Sequence, residues 1–90
     1  MKTIAVVTPS LKWWNDWLKS IPSFDTALIY SDGTAKIDGD SYYMCNDMNK
    51  IRGQRQLNDY ILHGPINTIK NIEPLIESLE EKIKATRANN

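Results

Sequence analysis

The sequence predicts a small α/β domain: a mainly parallel sheet of about three to four strands, a short antiparallel hairpin excursion and about three flanking helices. Three observations carry that prediction. Residues 3–8, TIAVVT, are a continuous apolar run rich in β-branched residues, as in a strand buried on both faces. Residues 11–21, LKWWNDWLKSI, are strongly one-sided at helical spacing. Two Asp-Gly dipeptides, Asp32-Gly33 and Asp38-Gly39, flank a short strand-like stretch, and Asp-Gly is a hairpin signal.

The elements follow in order. After the first strand, Thr8 reads as a helix cap and Pro9 as the first helical residue, where its missing N–H has no partner in any case. At about 100° per residue, Leu11, Trp13, Trp14, Trp17, Leu18 and Ile21 share an arc of about 160°, and Lys12, Asn15, Asp16, Lys19 and Ser20 fill the other side. Trp14 and Trp17 therefore read as core. Trp13, at the rim of the arc, is the best candidate for an exposed aromatic contact. Pro22 stops the helix.

Residues 26–31, TALIYS, read as a second strand that completes a right-handed βαβ unit. Residues 34–37 then form an edge strand within the hairpin excursion, and SYYMC, 41–45, forms a third parallel strand. NDMNKIRG predicts a short helix with Asn46 as cap and Gly53 as left-handed terminator. Residues 58–63 read as the last strand, broken by Gly64-Pro65. From Pro74, PLIESLEEKIKATR is a helix with Leu75, Ile76, Leu79 and Ile83 on one stripe. Its acidic residues come first and its basic residues last, which suits the helix dipole.

Composition bounds what this domain can do. Ninety residues are one domain, read as a single unit over 1–90. A chain of that size buries roughly 60–65% of its unfolded surface, enough for a core but not for a deep active-site cavity. Lys plus Arg and Asp plus Glu number 11 each. Zero net charge argues against whole-molecule attraction to nucleic acid or to an anionic membrane, and leaves only local patches. A single cysteine, Cys45, excludes an internal disulfide and reads as a small buried hydrophobe. No apolar run has the length of a signal-peptide core or a membrane span, so the expected setting is the cytoplasm, with no membrane partner. Abundant Asn, Ile and Lys fit an AT-rich genome such as those of many phages and low-GC bacteria.

Most chemistries lack their residues. Asp32, Asp38 and Asp40 look like a calcium loop but fail on spacing: Thr34 and Lys36 stand where ligands belong and Ile37 where the turn needs glycine. One Cys and one His do not make a zinc site. The turn after the first strand, Thr8-Pro9-Ser10, has no glycine to cradle a phosphate. A nucleophilic pair of Cys45 and His63 is the one enzyme arrangement the residue types allow, if both end neighbouring strands. No cofactor, no metal and no catalysis are expected.

The stretch KIRGQRQLNDYILHG, 50–64, remains. Its basic turn (Lys50, Arg52, Gly53, Arg55) leads through Asp59 into Tyr60-Ile61-Leu62. Over residues 50–62 it resembles the arginine-glycine turn and strand that precede the Walker B acids of helicase-like and phage terminase-like P-loop ATPases. His63 and Gly64 stand where those proteins carry their acidic metal ligands, and there is no Walker A loop. The resemblance thus implies a cut-down relative that keeps the sheet and has lost ATP hydrolysis, such as a small phage or mobile-element accessory protein.

The expected function is a non-enzymatic binding or inhibitor module that docks on another protein. Trp13, Tyr42 and Tyr43 would be its aromatic anchors and Arg52 and Arg55 its polar ones. The alternative is nucleic-acid or nucleotide-phosphate binding through Lys50, Arg52 and Arg55 with a stacking aromatic. Homodimerisation through an edge strand or the Trp helix is a further expectation.

Overall fold

The computed structural model describes residues 1–88. One five-stranded sheet carries helices on both faces. In chain order the elements are β1 (Thr3–Val7), α1 (Leu11–Ser20), β2 (Leu28–Ile29), β3 (Thr34–Ile37), β4 (Asp40–Cys45), α2 (Met48–Arg52), β5 (Asp59–Leu62) and α3 (Ile72–Ala88), with single 3-10 turns at Phe24–Thr26 and Ile66–Thr68. The strand order across the sheet is β2-β3-β4-β1-β5.

β1 is the interior, doubly covered strand that its composition predicts. Ile4, Ala5, Val6 and Val7 are all buried, with β4 parallel on one side and β5 parallel on the other. Period-2 alternation then sorts the core into two layers. Val6, Ala35, Ile37 and Met44 face α1, where Trp14, Trp17 and Leu18 close over them. Ala5, Val7, Tyr43 and Cys45 face α2 and α3 and meet Ile51, Leu57, Leu75, Leu79 and Ile83.

The expectation of a mainly parallel sheet fails. The sheet is mixed: β2–β3 and β3–β4 are antiparallel pairs, equal in number to the parallel ones. The cause is connection length. A parallel neighbour needs a crossover of a dozen or more residues, whereas the links from β2 to β3 and from β3 to β4 are tight turns. Asp38 (φ 52°) and Gly39 (φ 88°) both adopt positive φ, the requirement of a two-residue type I′ hairpin. Residues 26–31 read in the sequence as the second strand of a right-handed βαβ unit. Only Leu28–Ile29 pair, at the far edge and exposed. Trp14 and Trp17 pack across β3 and β4, so α1 carries the chain past both strands before it rejoins the sheet.

Helix ends differ from expectation in detail. α1 begins at Leu11 with Ser10 as its cap, and Thr8 is instead buried with its N–H on the Cys45 carbonyl, extending the β1–β4 ladder. Asp47, not Asn46, caps α2: its side chain accepts from the Lys50 N–H at 3.2 Å. Gly53 ends α2 in right-handed conformation (φ −75°, ψ −7°) rather than as a left-handed terminator. α3 starts at Ile72, two residues before Pro74, because first-turn N–H groups have no helical partner and a proline there costs nothing.

Candidate functional site

Adjacent strands β1 and β4 send the chain to opposite faces, β1 into α1 and β4 into α2. That makes the space beyond their carboxyl ends the place where open α/β sheets bind ligands. Residues 8–10, 46–47 and, next door, 63–64 stand there. Trp13 fills the α1 side of it. The indole packs so closely on Gly64 that a Cβ built on that glycine would lie 2.9 Å from Trp13 Cδ2. His63 meets the Trp13 ring edge-on at 6.1 Å and places Nε2 2.9 Å from Asp16 Oδ2. Lys12 lies over the other part of the Trp13 environment, 5.8 Å from the ring centroid. Trp13 is therefore half-buried in a local cluster that ties α1 to the end of β5. Asp16, on the polar face of the helix, gave no sign in the sequence of being His63's partner.

Cys45 and His63 end strands that both flank β1, as the nucleophile-pair reading required. The pleat separates them. Cys45 points into the α2–α3 core layer, fully buried, while His63 reaches Asp16 and Trp13 on the α1 side. Burial pushes the Cys45 thiol up to about 11; the hydrogen bond to the Asp47 carbonyl and the charge of Lys50 oppose it more weakly, and the Asp47 charge adds to it. A thiol so placed is neither a thiolate at neutral pH nor in reach of a base.

The expected aromatic anchors do not form one surface. Tyr42 lies on the α1 face, 5.2 Å from Trp17 between ring centroids, and its phenol is raised by burial and by Asp40 and Asp38. Tyr43, the next residue, faces the opposite way and is 4% exposed. Lys50 and Arg52 sit in the last turn of α2 and Arg55 in the loop that follows; both arginines are exposed and have no carboxylate within ion-pair distance among the described residues. Asp47 and Asp59, which flank the basic turn in sequence, accept from the backbone N–H groups of Lys50 and Tyr60.

Asp32, Asp38 and Asp40 are likewise occupied in turns. Asp32 accepts from the Thr34 hydroxyl and N–H, Asp38 from the Ser23 hydroxyl, and Asp40 from the Lys2 N–H. No three His, Cys, Asp or Glu side chains gather as metal ligands among the described residues. No described helix is long and apolar enough to cross a membrane.

The largest departure from the sequence reading is at β2. Leu28, Ile29 and Tyr30 are 60%, 45% and 46% exposed, with Phe24 close by in sequence at 36%. The Tyr30 N–H donates to the Thr34 carbonyl. Strand alternation then turns the N–H and C=O of Ile29 outward, to the open edge. This edge carries apolar side chains on both faces and unpaired main-chain groups between them. No protein-family model, curated protein or solved structure matches this chain.

Proposed function

We propose that the chain is a non-enzymatic binding module that docks on another protein, and that the β2 edge is where it docks. The occupant is an extended segment of the partner, added as a sixth strand. The observation that carries this reading is the exposed run Leu28-Ile29-Tyr30 on an open strand edge. Proteins ordinarily blunt such edges with charge or proline, and β2 has neither. Strand addition draws affinity from main-chain hydrogen bonds and specificity from alternate side chains, here Leu28 and Tyr30 on one face and Ile29 on the other. The phage-accessory reading from the 50–62 resemblance fits a protein of this kind and adds nothing to the site.

A second reading rests on exposed Arg52 and Arg55, which have no acidic partners among the described residues: a phosphate-bearing partner bound at the α2 turn. One experiment separates the two. The tagged protein is used to capture partners from lysate, with and without nuclease, beside Ile29→Pro and Arg52→Gln/Arg55→Gln variants. Proline at Ile29 removes an outward N–H and leaves the ladder to β3 intact. The docking reading expects a stoichiometric protein that survives nuclease, is lost with Ile29→Pro and is kept with the arginine variant. Capture that ignores Ile29→Pro overturns it, and loss with nuclease or with the arginine variant transfers the site to the basic turn.

A further inference from the structure

The β2 edge matches itself. α2 and α3 cover β1, β5 and the Tyr43–Cys45 end of β4 and leave the face of β3 open. Leu28 and Tyr30 stand beside Lys36 and Thr34 on that open face, and Ile29 beside Ala35 on the other. Leu28 and Tyr30 direct their main-chain groups to β3, and Ile29 directs its N–H and C=O outward. A two-fold axis at Ile29 lays β2 antiparallel to β2 of a second copy. Each outward N–H of Ile29 then meets the outward C=O of the other Ile29. Each Leu28 falls opposite Tyr30 of the other copy, and the two Ile29 side chains meet on the far face.

Three observations favour a second copy as the occupant of this edge in the free protein. No charge interrupts residues 27–31, ALIYS, so self-pairing sets no like charges opposite each other there, whereas a charged edge would repel its own copy. The pairs that form, aliphatic on aromatic and isoleucine on isoleucine, are of the kind that stabilises antiparallel neighbours. Closure is the third. The contact is isologous, so one pairing uses both β2 edges. The edges left outermost are the two β5 strands, each beginning at exposed Asp59, a charge of the kind that blunts an edge. Pairing therefore ends at two copies, and it withdraws Leu28, Ile29 and Tyr30 from water in both. A strand this short buries less than the roughly 1,200 Å² of a standard complex, which makes the dimer weak and exchanging.

We propose that the free chain closes its docking edge by pairing β2 with β2 of a second copy about a two-fold axis at Ile29. The proposal rests on the reading that the β2 edge accepts a strand, and a docking strand must displace the second copy. Sedimentation equilibrium of the full chain from about 10 μM to about 1 mM measures the pairing, and a monomer–dimer equilibrium with its midpoint in that range is expected. Ile29→Lys sets like charges across the axis. It is expected to raise the midpoint at least tenfold with an unchanged far-UV circular dichroism spectrum. Register is read by disulfide cross-linking of single introduced cysteines in a Cys45→Ala background under mild oxidation. Paired Ile29 Cα atoms would lie about 5.5 Å apart, within disulfide reach. Ile29→Cys is therefore expected to cross-link to itself at least tenfold faster than Leu28→Cys, whose counterpart across the axis is Tyr30. Leu28→Cys mixed with Tyr30→Cys is expected to cross-link as the mixed pair. If Ile29→Lys fails to fold, the cross-linking pattern decides. A chain still monomeric at about 1 mM, a midpoint indifferent to Ile29→Lys, or Leu28→Cys cross-linking to itself as fast as Ile29→Cys would each overturn the proposal. A monomeric chain whose partner capture is lost with Ile29→Pro overturns the self-pairing and leaves the docking reading. A dimer of this register whose partner capture ignores Ile29→Pro overturns the docking reading and supports the self-pairing.

Discussion

Replacing Gly64 by alanine tests the cluster at the carboxyl end of β5. Gly64 has φ +85°, and an added Cβ would lie 2.9, 3.0 and 3.1 Å from three ring atoms of Trp13. Two costs arise. The left-handed backbone costs an alanine about 1–2 kcal/mol relative to glycine. The contacts fall well inside the 3.5–4.0 Å optimum between carbons, and overpacking of this kind costs about 1–3 kcal/mol. The indole cannot swing away freely, because His63 meets its edge and Gly64 its face. The sum is about 2–5 kcal/mol. Gly39 supplies the control. Its φ is +88° and nothing lies within 4 Å of its added Cβ, so Gly39→Ala carries the backbone cost alone. Urea denaturation followed by far-UV circular dichroism measures both, since that signal does not depend on the tryptophan being moved. Gly64→Ala should lose at least about 1 kcal/mol more than Gly39→Ala, or roughly 4–8 °C of additional Tm loss. In a Trp13→Ala background the excess should vanish, as a double-mutant cycle requires of residues in contact. Equal losses within about 0.5 kcal/mol, or an excess that persists without Trp13, would refute the reasoning.

Other outcomes follow from named contacts. The buried Leu57 N–H donates to Thr86 Oγ1 at 3.0 Å, so Thr86→Val should cost about 1–3 kcal/mol by stranding that donor. Thr86→Ser, which keeps the acceptor, should recover most of it, as chemical denaturation will show. Trp14→Ala, at a position 2% exposed, should cost about 3–5 kcal/mol, against a smaller loss for the half-buried Trp13. Cys45 makes stability fall in alkali. Its folded-state pKa is raised from 9.0 to about 11, so the folded form holds the proton more tightly; the stabilisation is complete below pH 9 and is lost as pH rises to about 11. The effect is on the order of 2–3 kcal/mol. It is read as the difference in pH slope between the parent and Cys45→Ala, because lysines and tyrosines titrate in the same range; parallel slopes would count against it. At pH 8 a thiol reagent should label Cys45 in the native protein far more slowly than in urea.

Patterns within single elements were legible in the sequence. The β-branched run of β1, the Trp14–Trp17–Leu18 face of α1 and the Leu75–Leu79–Ile83 stripe of α3 state their burial directly, because each side chain answers to its own element's period. Strand order was not legible. TALIYS reads as the second strand of a βαβ unit, but its place depends on α1 lying across β3 and β4, a tertiary fact. Tyr42 and Tyr43 are different: their opposite faces follow from the strand's own period, so grouping both with Trp13 as anchors on one surface ran against a pattern the sequence carries. The open face did leave a trace. Thr34 and Lys36 alternate with Ala35 and Ile37, polar against apolar, and that alternation marks a sheet half-covered by helices. Thr86 and Asp16 left none, since neither pairing has a sequence spacing that would announce it.

The position of β1 in the sheet has a kinetic consequence. The first strand in chain order is an interior one, and both of its neighbours come from far downstream: Thr3 pairs with Ser41, and its N–H bonds the Asn58 side chain across 55 residues. Until residues 40–62 are available, Ile4, Ala5, Val6 and Val7 have no strand to pair with. Closure of such long loops precedes the contacts that reward it, so folding should be slow for a domain of this size. During synthesis the stretch TIAVVT is an unpaired, uncharged β-former waiting for its partners. A nascent chain stalled before β4 would therefore present an aggregation-prone segment in the open.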